Sequence, residues 1–237
     1  MFRQLPEQFP PSASNKTKNG ANMPNIIVKT IPVGPLETNC YLVIDSETKD
    51  AVLIDPGAEA DELLSILDDE KVALRGVLLT HGHGDHIGAV GKIISEKNVP
   101  LWIHSDDAVM LTDSEKNLSA MLGLFITTDH PYNDLVDDET INFGSIQIKV
   151  LHTPGHTRGG VSLYIPNENN PILLSGDTLF KGDVGRCDLP GGSWETLRKS
   201  ILEKLYVLPD NTVVYPGHGD SSTIGNEKIT NNYVKTV

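Results

Sequence analysis

Four apolar stretches of this chain end in the same way. In "GVLLT" (76–80), "IKVLHTPG" (148–155), "PILLSG" (171–176) and "TVVYPG" (212–217), a short aliphatic or β-branched run stops, usually beside glycine. Such runs read as short buried strands. A residue able to bind a metal then follows. After the first run come His81, His83, Asp85 and His86, within "THGHGDH"; after the others come His156, Asp177 and His218. Loops at strand ends are where a rigid scaffold carries functional groups, and glycine lets the backbone turn sharply and approach closely there.

Together these are seven donors, five histidines and two carboxylates. One tetrahedral zinc takes about four ligands, and a catalytic zinc keeps one position open for water. Seven protein ligands are too many for one such ion and suit two ions that share a carboxylate and a water. His81 and His83 alternate along an extended backbone, so a tight turn is needed to aim both inward. Asp85 and His86 are adjacent and begin the next helix. The arrangement differs from the His-Glu-x-x-His pattern, in which one helical face carries both histidines. Taken singly, Asp85 reads as a helix cap, His86 as a surface helix residue and His218 as a turn residue. Seven such residues at four strand ends favour a metal centre. No Gly-x-Ser-x-Gly elbow is present.

Elsewhere, β-branched and apolar runs at 26–34, 39–45 and 51–55 predict antiparallel strands. Residues 59–70 and 85–96 have helical spacing, with short strands at 76–80 and 101–104. Residues 105–123 are expected to be helical in one or two pieces, and 127–140 to form an acidic loop. Further strands are expected at 146–151, 160–165, 171–176 and 212–216. A helix is expected to start at Ser193 as N-cap, with Trp194, Leu197, Ile201 and Leu205 along one stripe. Each half thus runs strands, helix, strand. That order predicts an α/β (α+β) chain with two sheets packed together and helices outside. Residues 1–22, rich in Pro, Ser, Asn and Lys, read as a disordered tail, and 23–237 as a single domain.

A net charge of −13 argues against nucleic acid or an anionic membrane as partner, since phosphate binding wants clustered Lys and Arg. A small-molecule substrate is the remaining expectation. No apolar run approaches the roughly 18 residues that span a bilayer, and the N-terminus lacks the apolar core of a secretory signal. The two cysteines, Cys40 in a strand and Cys187 in a Gly-rich loop, do not suggest a disulfide framework. A cytoplasmic location fits best.

The other polar residues near these loops are less specific. His104 reads as a structural or near-site residue, His130 as a solvent-exposed loop residue, and His152 as either a support for the ligands or a core histidine. Asp55, in "IDPG", reads first as a turn residue and second as a hydrogen-bond partner of a ligand histidine. Arg158, Lys181 and Arg186 lie in loops beside His156 and Asp177, where they could contact an anionic substrate. A salt bridge between Arg186 and Asp188 competes with that role.

"THGHGDH" together with "TPGHT", "SGDTLF" and "YPGHG" resembles the metallo-β-lactamase superfamily over most of residues 23–225. "GDTLF" followed by "GDVGRCDLPGG" is similar to its glyoxalase II-like branch, which holds hydroxyacylglutathione hydrolases, compact relatives and persulfide dioxygenases. The resemblance implies a four-layer αβ/βα sandwich of two mixed sheets, with the metals at one edge. It implies that His81, His83 and His156 hold one metal and Asp85, His86 and His218 the other, with Asp177 bridging. Two zinc ions per chain are expected, with iron or manganese as alternatives. The implied activity is hydrolysis by a hydroxide bridging the metals, on thioesters such as S-lactoylglutathione, with Asp85 and Asp177 as catalytic residues. Full-length glyoxalase II enzymes carry a further C-terminal helical region that contacts glutathione. This chain has 19 residues after His218, so the compact relatives are the closer expectation. The alternatives are a persulfide dioxygenase with one iron, a β-lactam or lactone/ester hydrolase, and a metal- or partner-binding protein without activity.

Overall fold

The fold is built on strand alternation that buries both faces of each central strand. The structure, a computed structural model, describes residues 25–167 and 170–236; the tail expected over 1–22 lies outside them. The first half contributes β1 (Ile26–Val33), β2 (Thr38–Asp45), β3 (Asp50–Ile54), β4 (Ala73–Leu78), β5 (Leu101–Ile103) and β6 (Tyr132–Asp134), hydrogen-bonded in that order. The β1–β2 and β2–β3 pairs are antiparallel, and the remaining pairs are parallel. The second half contributes β7 (Thr140–Phe143), β8 (Ile146–His152), β9 (Val161–Ile165) and β10 (Ile172–Gly176). A small hairpin follows, β11 (Leu179–Phe180) and β12 (Asp183–Val184), then β13 (Val213–Pro216) and β14 (Ser222–Thr223). This sheet runs β14-β13-β10-β9-β8-β7, with only β10–β13 parallel.

Side chains that alternate along a strand point to opposite faces. In β2, Cys40, Leu42 and Ile44 join one apolar cluster while Tyr41 and Val43 join another. The first cluster also contains Leu63 and Leu67 from α1 (Ala60–Asp69) and Val90 and Ile93 from α3 (Val90–Lys97). The second is shared by both sheets: Tyr41, Val52 and Ile54 meet Val150, Leu163 and Leu174. A third, on the outer face of the second sheet, joins Leu173 and Val214 to Leu197 of α4 (Trp194–Ser200) and Ile224 of α5 (Ile224–Thr230). Three cores between four layers, helix–sheet–sheet–helix, give the αβ/βα sandwich. Cys40 is a buried free thiol in the first of them. None of the helices among the described residues is long and apolar enough to cross a membrane.

Four expectations are corrected. The helix expected over 85–96 is two pieces, α2 (Gly84–Ile87) and α3. The break falls where the Asp55–Ala58 loop lies on the chain: Ala89 N–H donates to Pro56 O, and a Cβ on Gly88 would stand 2.3 Å from Gly57 O. Residues 105–123 form only two 3₁₀ turns, Ala108–Leu111 and Ser119–Leu122. Their polar side chains capture backbone groups that a helix would need: Asn117 Nδ2 donates to Met110 O and Ile126 O, and Asp113 accepts from Glu115 and Lys116 N–H. The acidic segment 127–140 is not all loop, since β6 pairs in parallel with β5. Trp194 leaves the expected buried stripe: it is 40 % exposed and packs edge-on against Tyr233, while Leu197, Ile201 and Leu205 are buried. Ser193 caps this helix through its side chain, and α4 ends in a π-helical turn, Ile201–Leu205.

Candidate metal centre

The seven predicted donors converge. Three groupings place ligand atoms within 4.8 Å of one another: His81, His83 and His156; His81, His86 and Asp177; and Asp85, His86 and His218. His81 and His83 follow β4, and Asp85 and His86 lie in α2. His156 follows β8, Asp177 follows β10 and His218 follows β13, so the donors come from both sheets. His86 Nε2 lies 3.5 Å from Asp85 Oδ2 and 3.6 Å from Asp177 Oδ1. His218 Nε2 lies 3.3 Å from Asp85 Oδ2 and 3.6 Å from Asp177 Oδ2, and His156 Nε2 lies 3.5 Å from Asp177 Oδ2. Two ligands each about 2.0–2.1 Å from a zinc ion at a tetrahedral angle would be about 3.3 Å apart, close to these separations. Asp177 thus faces both sets of histidines with its two oxygens.

Four of the five histidines are oriented by their other nitrogen; His83 instead has Nδ1 2.9 Å from His156 Nε2. His86 Nδ1–H donates to Asp55 Oδ2 at 3.0 Å, and His156 Nδ1–H to Arg186 O at 2.7 Å. His218 Nδ1–H donates to Leu36 O at 3.2 Å. Thr80 O–H donates to Asp55 Oδ2 at 2.6 Å, which leaves Thr80 Oγ1 to accept from His81 Nδ1–H at 3.1 Å. In all four, Nε2 is the nitrogen left facing the centre, the atom a metal would take in place of any proton there. Asp55, read first as a turn residue, is buried and supports His86 directly and His81 through Thr80. Its φ of 52° is a left-handed conformation that Asp tolerates better than most residues.

The two glycines of "THGHGDH" do not have positive φ; they are needed for close approach. A Cβ on Gly82 would stand 2.6 Å from Met110 Cβ, and one on Gly84 2.6 Å from Ser119 Cβ. The motif is thus packed from behind by the 3₁₀ segment. Several supporting residues had no distinct signal in the sequence. Thr38 Oγ1 donates to Asp85 Oδ2 at 2.8 Å. Asn39 Nδ2 donates to Pro216 O and Gly219 O, and Tyr41 O–H to Pro216 O, so the start of β2 grips the His218 turn.

The centre's electrostatics divide in two. Burial, and then the neighbouring imidazoles His86, His83, His156 and His218, hold His81 well below the ordinary histidine range. Burial and then His156 and His86 lower His83 to about 3. Both are therefore neutral at pH 7. Burial also opposes a charge on His86, but Asp85, Asp55 and Asp177 overcome it and raise its pKa to about 10. His218 is raised in the same way: burial is outweighed by a hydrogen bond to Asp85 and the charge of Asp177. Burial of Asp85 is outweighed by His86 and by hydrogen bonds from His218 and Thr38, which keep it well below the usual carboxylate range.

Four of the buried polar atoms here have no hydrogen-bond partner: His81 Nε2, His83 Nε2, His86 Nε2 and Asp177 Oδ1. Leaving such an atom unsatisfied costs about 1–3 kcal/mol. His81, His86 and Asp177 come from different chain segments and place ligand atoms within 4.8 Å of one another, an arrangement that suits a divalent cation.

The remaining sequence candidates lie apart. His104 and His152 stack with ring centroids 4.2 Å apart and planes 9° from parallel, beside Asp106. Parallel rings do not aim their in-plane lone pairs at one point, and His152 Nε2–H is engaged with Arg158 O. Arg158, Lys181 and Arg186 are not in the cluster. Arg186 makes two 3.0 Å bonds to Asp188, and Lys181 pairs with Asp220 at 3.0 Å. His130 is half-buried rather than solvent-exposed.

Residues 33–218 match the family described as "Metallo-beta-lactamase superfamily". The chain belongs to the metallo-β-lactamase superfamily. Among its relatives, the hydroxyacylglutathione hydrolase GloC of Haemophilus influenzae is 35 % identical, over 88 % of this chain and 98 % of that protein. This similarity supports the glyoxalase II-like branch. Among solved structures, BLEG-1, a B3 metallo-β-lactamase, is 40 % identical with a TM-score of 0.83, covering 88 % of this chain and 99 % of that one. TTHA1623, solved in a di-iron-bound form, is 38 % identical with a TM-score of 0.77, covering 87 % of this chain and 100 % of that one. The mixed sheets and outer helices of the superfamily member described here agree with these neighbours.

Proposed function

We propose that the protein is a dinuclear metal-dependent hydrolase of thioesters, of the hydroxyacylglutathione hydrolase type, acting on a small molecule in the cytoplasm. The observation that carries this reading is the convergence of seven donors, several with orphan lone pairs, on a buried centre supplied by both sheets. The 35 % identity to GloC supports the choice of thioesters.

In this reading His81, His83 and His156 hold one ion, Asp85, His86 and His218 the other, and Asp177 both. When bound, such ions supply a water of lowered pKa and Lewis-acid stabilisation of a developing oxyanion. The chain's own residues supply orientation. Asp55, Thr80, Arg186 O and Leu36 O hold the Nδ1 protons, so that Nε2 of four histidines faces inward. Asp85, steadied by Thr38, and Asp177 present carboxylate oxygens to His218 at 3.3 and 3.6 Å. A thiolate leaves with little proton assistance, so no separate acid need be assigned.

Elemental analysis of protein purified without added metal, with a panel of S-lactoylglutathione, a simple acyl thioester, a β-lactam and a persulfide, tests the proposal. Zinc, iron and manganese are all measured, since TTHA1623 has a di-iron form. Two ions per chain and thioester turnover are expected, both lost in His81→Ala and Asp177→Ala. Full hydrolysis by metal-free protein would refute the mechanism; turnover of only the lactam or persulfide would refute the substrate class.

A further inference from the structure

Asp107 is completely buried, with 0 % exposure, although it carries a carboxylate. Its two oxygens are held by backbone amides from different loops. Gly82 N–H donates to Oδ2 at 3.2 Å, and Gly159 N–H donates to Oδ1 at 2.7 Å. Its own N–H donates to His104 O, and its carbonyl accepts from Met110 N–H, which fixes it at the start of the first 3₁₀ segment. Both amide donors are glycines at close approach. A Cβ on Gly159 would stand 2.7 Å from Asp107 N and 2.8 Å from its Cγ, and one on Gly82 would stand 3.0 Å from Asp107 O.

The position of these amides decides what the carboxylate does. Gly82 lies between His81 and His83, on the loop after β4 of the first sheet. Gly159 lies three residues after His156, on the loop after β8 of the second. These are the two loops that carry the His81, His83 and His156 grouping. The Asp85, His86 and His218 grouping is supported elsewhere, by Thr38, Asp55 and Leu36 O. A charged acceptor makes shorter and stronger hydrogen bonds than a neutral one, and here one carboxylate sets the spacing between two loops.

We propose that Asp107 is a positioning residue for one metal centre only: it fastens the His81–His83 loop to the His156 loop, and so sets the affinity of the centre that carries His81, His83 and His156 independently of the other. This rests on the dinuclear reading above. Asp107→Asn has nearly the same shape but can accept only through Oδ1, so its Nδ2 faces an amide N–H and one of the two loops is released. Partners that orient ligands in this way typically change metal affinity by about 10–100-fold.

The test is zinc competition with a chromophoric chelator on wild type and Asp107→Asn, with His83→Ala and His218→Ala marking the two centres. A Val43→Ala variant, cut in the core between the sheets, reports what general destabilisation does. Asp107→Asn is expected to weaken one ion about 10–100-fold with the pattern of His83→Ala, leaving the other within about twofold. Val43→Ala should leave both unchanged. Equal loss of both ions, loss matching Val43→Ala, or no loss would overturn the proposal while leaving the dinuclear reading intact. Wild type binding fewer than two ions would overturn both. Should Asp107→Asn not fold, amide exchange in metal-free wild type decides: protected Gly82 and Gly159 amides support the clamp, and fast exchange at either overturns it.

Discussion

Asp55→Asn gives the sharpest test of how the centre is held. Asp55 accepts from Thr80 N–H at 2.8 Å, from Thr80 O–H at 2.6 Å and from His86 Nδ1–H at 3.0 Å. Asparagine can keep the first bond through Oδ1, but Nδ2 then faces the other two groups as a donor. Thr80 Oγ1 must turn to accept from Nδ2, which aims its proton at His81 Nδ1. His86 Nδ1 must likewise become an acceptor. Both imidazole protons then move to Nε2, the atoms that face the cluster. Because the proposed reading places His81 and His86 on different ions, both ions should be weakened. An oriented outer partner is worth about 10–100-fold in metal affinity, or about 1.4–2.8 kcal/mol per ion. Chelator competition measures this directly, and urea unfolding of the metal-free variant separates it from fold stability. If Asp55→Asn bound two ions with wild-type affinity, the assignment of Nε2 as the inward atom of His81 and His86 would be wrong. If only one ion weakened, the Thr80 relay to His81 would be wrong.

Two further predictions follow from the geometry. A Cβ at Gly217 would stand 2.0 Å from Asp177 Oδ1 and 3.0 Å from His86 Cε1, so Gly217→Ala should cost at least tenfold in metal affinity while circular dichroism stays native. Metal-free protein at pH 8 should release about one proton from His86 on filling the Asp85–His86–His218 grouping, because the carboxylates around it raise its pKa to about 10. That release should fade as pH rises through about 10, where His86 is already neutral. The His81–His83–His156 grouping should release almost none from His81 and His83, which are neutral at that pH. Calorimetry in buffers of different ionisation enthalpy counts the protons, and equal release at both centres would contradict the division.

The seven donors were legible because they follow abrupt ends of apolar runs, and side-chain type and position are both visible in a sequence. The sheets were legible for the same reason: Leu42 and Val43 differ in the face they bury, yet both are apolar, so β2 reads as a strand buried on two sides. The supports were harder to see. Thr38, Asn39 and Tyr41 act on residues about 45 to 180 positions away. Asp55 and Asp107 look like ordinary loop aspartates, because what marks them is burial and the direction of an amide. The break between α2 and α3 was hidden likewise: Ile87, Val90, Ile93 and Ile94 keep helical spacing across it, and the interruption comes from Pro56 and Gly57 pressing on the chain.

The same contrast separates metal chemistry from substrate recognition. The donors are mostly buried, and Asp55, which follows β3, and the Arg186 carbonyl hold the second nitrogens of His86 and His156. Lys181 and Arg186, the cations flanking Asp177, pair instead with exposed Asp220 and Asp188. Exposed pairs of this kind are worth about 0–1 kcal/mol, so an anionic substrate group can displace either partner at small cost. The geometry around the donors is therefore hard to alter without losing metal, whereas the Lys181 and Arg186 side chains can change partners freely. Changes in substrate preference should accordingly map to those two side chains, and changes in metal affinity to the glycines and aspartates behind the histidines and to the Arg186 carbonyl that holds His156.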